Sequence, residues 1–165
     1  MHTGGTPAIV ALERAGAQFA VHHFDHDPAE RHYGSAAAAA IGVDPDRVFK
    51  TLLVNVEVAN GVVETVVGIV PVSGQLSLRQ MASCVGAKRA EMCPPALAER
   101  ITGYVVGGIS PFGQKKHLPT AIDETALLYD TIFVSGGKRG FDIEIAPADL
   151  IAVLHAVVAP IGTSR

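Results

Sequence analysis

The chain has 165 residues, of which 48% are apolar and 18% charged, so it can bury the core of one domain and is too apolar for disorder. Aromatic residues make up 5% and tryptophan is absent, which argues against an aromatic platform for single-stranded nucleic acid. The net charge of -3 excludes a globally basic nucleic-acid binder, but not one that gathers its cations on one face.

The cysteines and the N-terminus indicate the compartment. Cys84 and Cys93 have no zinc-type spacing around them, which favours a reduced, cytosolic protein. Residues 1–5 lack a basic segment followed by an apolar one, and the longest apolar run, residues 36–41, is far too short to cross a membrane. We therefore expect a cytoplasmic protein that neither spans a membrane nor is exported.

The first third of the chain predicts helix, strand, helix. Thr6 caps a helix with proline at its first position and a stop at Gly16. Residues 18–24 favour a strand, and the segment that follows is a loop. Ser35 is expected to cap a helix over the alanine run, which ends at Gly42.

The remainder of the chain predicts hairpins interrupted by short helices. The predicted strands cover 48–58, 62–70, 131–134 and 141–145, with an Asn60-Gly61 turn between the first two. The predicted helices cover 77–85, 94–103 and 147–154, and glycine-rich loops occupy 107–116 and 135–140. This order indicates one α/β domain over residues 1–165, with a mixed sheet or barrel flanked by short helices.

Lys50 lies within an apolar strand, between Phe49 and Leu52. Two interpretations are open. Its stem can extend over apolar surface so that the ammonium reaches water, or it can place a cation at the floor of a pocket and hold a phosphate or a polarised carbonyl. The spacing of the residues does not decide between them.

Both glycine-rich loops carry cations, which are Lys115, Lys116, Lys138 and Arg139. Backbone without Cβ atoms can approach a ligand closely, and cations there would meet the phosphates of a nucleic acid. Solvated turns with ordinary surface cations are the alternative. A nucleoside-triphosphate loop is excluded because Gln114 occupies the position that requires lysine.

Other polar residues carry weaker signals. A histidine-rich segment holds His22, His23, His26 and His32, with Asp25 and Asp27 between them, yet strand alternation separates them; we expect surface histidines and no metal. The two cysteines are expected to pack as small apolar side chains. Asp142 and Glu144 share one strand face, which is either solvated or lines a pocket.

Several motifs together resemble the YbaK family of Cys-tRNA(Pro) deacylases, which is related to the editing domain inserted in bacterial prolyl-tRNA synthetase. The resemblance runs from about residue 6 to residue 154. It is carried by TPA at 6–8, HDP at 26–28, FKTLLV at 49–54, GYVVGGISPFGQKK at 103–116 and VSGGKRG at 134–140.

The resemblance implies a mixed β-barrel flanked by helices, and a catalytic site matched by Lys50 and by Gly107 of the GxxxP motif. Thr51, Ser135 and Asp142 match further substrate-binding positions. The other expected substrate-binding residues are Phe24, Tyr33, Gly108, Ile109, Ser110 and Pro111. Phe24 stands where relatives usually carry tyrosine, and Tyr33 stands where they often carry phenylalanine.

The implied activity is deacylation of mischarged Cys-tRNA(Pro) in trans, with no cofactor and no DNA partner. The cysteine thiol of the substrate would attack its own ester, which spares prolyl-tRNA because proline has no thiol. Association with prolyl-tRNA synthetase is a further implication. The alternatives are an editing deacylase that removes alanine or another small residue by water attack, and a non-catalytic RNA- or nucleotide-binding module.

Overall fold

The computed structural model describes residues 5–163, so most of the N-terminal segment discussed above lies outside it. The helices in this range are α1 (Pro7–Arg14), α2 (Tyr33–Ile41), α3 (Leu78–Cys84), α4 (Pro95–Thr102) and α5 (Pro147–Leu154). None of them is long and apolar enough to cross a membrane. The strands are β1 (Phe19–His23), β2 (Phe49–Ala59), β3 (Val62–Pro71), β4 (Gln75–Leu76), β5 (Arg89–Met92), β6 (Thr120–Asp123), β7 (Ile132–Lys138), β8 (Phe141–Ile145), β9 (Val157–Ala159) and β10 (Gly162–Thr163).

The strands form a mixed sheet and two smaller sheets. The large sheet has the order β5-β2-β3-β6-β9, antiparallel around the β2–β3 hairpin and parallel from β3 to β9. A second, antiparallel sheet has the order β1-β8-β7, and β10 pairs with β4. A parallel bridge between Val48 and Phe133 brings the start of β2 beside β7. The expected α/β fold with a mixed sheet is confirmed, but the strands within residues 5–163 do not close into a barrel.

Strand β2 separates two apolar cores because its side chains alternate between the faces of the large sheet. Phe49 and Leu53 belong to the larger core, which also contains Phe112 and residues of α1 and α5. Val54 and Val56 belong to a second core, which packs against α3. This burial on both faces explains the apolar run that surrounds Lys50 in the sequence.

Three details of the predicted elements were wrong. Helix α2 begins at Tyr33, so Ser35 lies in its first turn, and the N-cap residue His32 makes no side-chain capping bond. Strand β7 continues to Lys138, because a register shift between Ser135 and Lys138 accommodates two glycines that were assigned to a loop. Strands β4, β5, β6, β9 and β10 were not predicted; each has four residues or fewer.

Candidate active site

A cavity of about 520 Å³ opens between the start of β2, the β7–β8 hairpin, α2 and the segment that precedes α2. Its volume is that of a site for a small molecule or for the end of a larger one. It brings together residues that are far apart in the sequence. Those predicted from the sequence that line it are Phe24, Tyr33, Lys50, Thr51, Gly107, Ile109, Ser135, Arg139 and Asp142.

Strand β2 contributes an edge to this cavity. It pairs with β3 along its length but with β5 only from Val54 onwards. On the edge of β2 that faces β3, Val48 O accepts a hydrogen bond from the Val72 N–H. On the other edge of β2, Leu53 O accepts one from the Cys93 N–H. The backbone of Thr51, two residues before Leu53, therefore faces the cavity side. Thr51 Oγ1 is buried and has no hydrogen-bond partner among residues 5–163.

Lys50, Ser135 and Asp142 lie on three neighbouring strands. Lys50 and Ser135 each follow the Val48–Phe133 bridge by two residues, and Ser135 pairs directly with Asp142. Lys50 is half-buried, whereas Asp142 is only 6% exposed. Burial raises the pKa of the Asp142 carboxyl to about 7, because the charged form is poorly solvated there. The cavity thus holds a cation and a carboxyl that titrates near neutral pH.

The glycine-rich segment after α4 is a loop that is held by buried contacts beside the cavity. The buried Tyr104 hydroxyl donates to Phe112 O at 2.5 Å, and burial raises the pKa of Tyr104 to about 12. Ser110 is fully buried, and its Oγ accepts the Phe112 N–H. Gly108 packs so closely that a Cβ atom there would lie 2.6 Å from the Cα of Lys138. Gly108 and Ser110, with the buried Pro111, therefore shape the loop and do not line the cavity.

The loop reaches the cavity at Val106, Gly107 and Ile109. The Gly107 φ of +96° lies in the left-handed region, which glycine adopts without the strain that a Cβ would cause. An added Cβ would lie 3.0 Å from Arg139 Cδ and 3.4 Å from Tyr33 Cε1. These two side chains also stack, with the Arg139 guanidinium carbon 4.5 Å from the Tyr33 ring centroid. Gly107 therefore lies under a pair of packed side chains.

The cations predicted to meet tRNA phosphates lie in different surroundings. Lys115, Lys116 and Lys138 are exposed and outside the cavity lining. The Lys115 stem covers Gly103, and Lys138 Nζ lies 5.1 Å from the Phe141 ring centroid. Arg139 differs from them, because its guanidinium donates to backbone carbonyls of the segment before α2.

Sequence reasoning did not place Cys93 at the site. It is buried, and it lines the cavity where β5 ends and α4 begins. Burial raises the pKa of its thiol, as expected for a packed side chain and not for a nucleophile. No signal beyond its place between two predicted elements could have located it.

The two carboxylates of β8, Glu144 and Asp142, lie in different surroundings. Glu144 accepts a hydrogen bond of 2.8 Å from His22 Nε2 and one of 2.5 Å from Thr131. These bonds lower the pKa of Glu144, the one from Thr131 most strongly. Asp142 instead lines the cavity, so the carboxylates of this strand face are not simply solvated.

No group of three or more histidine, cysteine or acidic residues within 5–163 could hold a metal ion.

Comparison with known proteins identifies the family. The model of the aminoacyl-tRNA editing domain matches residues 28–153. EbsC of Enterococcus faecalis, assigned as a Cys-tRNA(Pro)/Cys-tRNA(Cys) deacylase, is 39% identical over 86% of this chain and 80% of its own. The multifunctional Ser/Thr-tRNA deacylase ProXp-y of Escherichia coli is 30% identical over 57% of each chain.

A solved structure shares the fold. A crystal structure of a protein assigned as a trans-editing enzyme for prolyl-tRNA synthetase superimposes with a TM-score of 0.82 at 24% identity, covering 99% of both chains. That identity supports the fold alone, while the family model supports the family. The resemblance predicted from the sequence is confirmed at this level. The chain belongs to the aminoacyl-tRNA editing domain family.

Proposed function

We propose that this protein deacylates mischarged Cys-tRNA(Pro) in trans, in the cytoplasm, by a route that the substrate thiol assists. The observation that carries the proposal is the single cavity that brings Lys50, Thr51, Asp142 and Gly107 together. Membership of the editing family and the similarity to EbsC support it.

In the proposed step, the substrate's own sulfur replaces water as the nucleophile. The cysteinyl thiolate attacks the ester carbonyl carbon, a C–S bond forms, and the C–O bond to the terminal ribose breaks. The products are a cyclic thiolactone and tRNA with a free hydroxyl, which takes up the proton that the thiol has released. A free thiol with a pKa of about 8.5 is partly ionised near neutral pH. A protein nucleophile is therefore not required.

The protein then has to orient the ester and stabilise its developing charge. Lys50 supplies the cation, which holds either the phosphate of the terminal adenosine or the carbonyl oxygen. The Gly107 backbone positions the aminoacyl end beside the packed side chains of Arg139 and Tyr33. The Asp142 carboxylate, with Thr51 and Ser135 beside it, receives the α-ammonium group of the amino acid.

The remaining tRNA binds outside the cavity. Lys115, Lys116 and Lys138 are exposed cations, and we assign them to phosphates of the tRNA. The cavity takes only the aminoacylated end, so selection of tRNA(Pro) requires these outer contacts or association with prolyl-tRNA synthetase.

Single-turnover deacylation of Cys-, Ala-, Ser- and Pro-tRNA(Pro) tests the proposal, with thiolactone followed among the products. The wild type should cleave the cysteinyl ester fastest and release thiolactone, and Lys50→Ala should slow this cleavage at least about a hundredfold. Faster loss of the alanyl or seryl ester without thiolactone would replace the proposal by water attack. No turnover of any ester would leave a binding module.

A further inference from the structure

We propose that Arg139 is a positioning residue that clamps residues 25–32, the segment between β1 and α2, over the reacting end of the substrate. This segment is called the rim segment below. The proposal goes beyond the function above, on which its kinetic test rests, and gives Arg139 a role other than the phosphate contact expected from the sequence.

The backbone of Arg139 lies in the tight turn of the β7–β8 hairpin. Lys138 pairs with Phe141, so Arg139 and Gly140 form a two-residue turn between β7 and β8. Gly140 takes a φ of +80°, and its carbonyl accepts the Phe24 N–H at 3.0 Å. The turn therefore holds the end of β1 directly, just before the rim segment begins.

The Arg139 side chain holds the middle of the rim segment. Its Nη2 donates to Asp27 O at 2.6 Å and to Glu30 O at 3.3 Å, and its Nη1 donates to Pro28 O at 3.3 Å. Three carbonyls within four residues thus converge on one guanidinium. Its planar array of donors can serve several acceptors at once, whereas lysine offers one compact ammonium.

The same side chain reaches the reacting end of the cavity. Its guanidinium stacks on Tyr33 at the start of α2, 4.5 Å from the ring centroid. Its Cδ would lie 3.0 Å from a Cβ at Gly107. Arg139 thereby links the rim segment to Gly107, the residue we assign to the aminoacyl end.

The rim segment also has hydrogen bonds that are local. Glu30 N donates to Asp27 O, and Ala29 N donates to a carboxylate oxygen of Asp27. Such bonds shape the segment but do not attach it to the body of the protein. Because Asp27, Glu30 and His32 all line the cavity, release of the segment would alter the wall against which the substrate is held.

Hydrogen exchange tests the clamp without any substrate. In Arg139→Ala, the backbone amides of residues 25–32, except Pro28, should exchange on the order of tenfold faster than in the wild type. Lys138→Ala removes the same charge from the neighbouring residue, and Arg79→Ala removes it from the exposed face of α3; both should leave this exchange unchanged. Equal exchange in Arg139→Ala and the wild type would overturn the proposal.

Kinetics distinguish a positioning role from a phosphate contact. Arg139→Ala should lower the single-turnover rate at saturating Cys-tRNA(Pro) by about tenfold, with an unchanged slope of log KM against log salt. Arg139→Lys should recover part of this rate. A slope reduced by about 0.7–0.9 with the saturated rate intact would assign Arg139 to a phosphate and overturn the proposal. If the wild type cleaves no ester, the exchange experiment still decides whether the clamp exists.

Discussion

At the scale of single residues, the ionisation of Asp142 makes folding stability depend on pH. Its carboxyl has a pKa of about 7 in the folded protein against an ordinary 3.8, so the folded state keeps the proton between these values while the unfolded state loses it. The contribution of Asp142 to folding stability therefore falls as pH rises from about 4 to about 7 and levels off above that. Burial of this carboxyl therefore lowers the stability of the folded protein above pH 4.

Asp142→Asn removes this ionisation while keeping the shape of the side chain. Relative to the wild type, the variant should gain unfolding free energy between pH 4 and pH 8, by about 4 kcal/mol at most. Denaturant unfolding at both pH values measures the gain. The exposed Asp130→Asn is the matched control and should show no such gain. The rate of cysteinyl deacylation should fall in Asp142→Asn and lose a rising limb near pH 7.

The buried hydroxyl of Thr51, which we assign to the site, also lowers the stability of the fold. Thr51 Oγ1 has no partner in the described part of the chain, and an unsatisfied buried hydroxyl costs about 1–3 kcal/mol. Thr51→Val should therefore raise the unfolding free energy by about 1 kcal/mol while slowing deacylation. Thr51→Ser keeps the hydroxyl and serves as the control for activity. Lower stability in Thr51→Val would show that the hydroxyl is already satisfied in the free protein.

At the scale of elements, the glycine-rich loop lines the cavity at Val106, Gly107 and Ile109, and Gly107 is the position that we assign to the aminoacyl end. Gly107→Ala meets two penalties, a positive φ and contact with Arg139 Cδ at 3.0 Å. Gly86, just after α3, has a φ of +70° but open space around its Cα. Gly86→Ala should cost only backbone strain, about 1 kcal/mol of stability, with normal deacylation.

Gly107→Ala should cost more stability than this and should also slow deacylation at least about tenfold. Unfolding free energies and single-turnover rates of the two variants, measured side by side, separate strain from blockage of the site. Equal rates would mean that Gly107 serves only the shape of the loop.

The helices and the central hairpin were predictable because their signals are local. Thr6 and Ser77 cap α1 and α3 through their side chains, and Asn60-Gly61 forms the turn between β2 and β3. Strand β6 carried no such signal, because all four of its residues are buried and its parallel pairing with β3 joins distant segments. Short buried strands are specified by their neighbours, which the sequence alone does not reveal.

At the scale of the whole molecule, the site too depends on contacts between distant segments, which the sequence alone does not reveal. Sequence reasoning could select Lys50 as an anomalous cation and residues 107–116 as a loop able to approach a ligand. The residues around Asp142 left it either on a solvated strand face or in a pocket, and only the family resemblance assigned it to the site with Lys50. The bridge between β2 and β7, which joins these strands, and the end of β5, which places Cys93 on the same cavity, carry no signal in the sequence. The role of Arg139 likewise depends on carbonyls about 110 residues earlier in the chain.

The charge of the whole molecule gives the last prediction. Although the net charge is -3, Lys115, Lys116 and Lys138 provide exposed cations on the two segments that flank the cavity. Each phosphate contact contributes about 0.7–0.9 to the slope of log KM against log salt. Joint replacement of the three lysines by alanine should lower that slope by about 2 and leave the saturated single-turnover rate nearly unchanged.

Lys88→Ala is the matched control, because Lys88 donates to Asn60 at the far end of β2, about 30 Å along the strand from Lys50. It removes a charge of the same sign from a position far from the cavity. If Lys88→Ala lowers the slope as much per charge as the triple variant does, the salt effect reflects net charge alone. If only the triple variant lowers it, tRNA approaches across the glycine-rich segments.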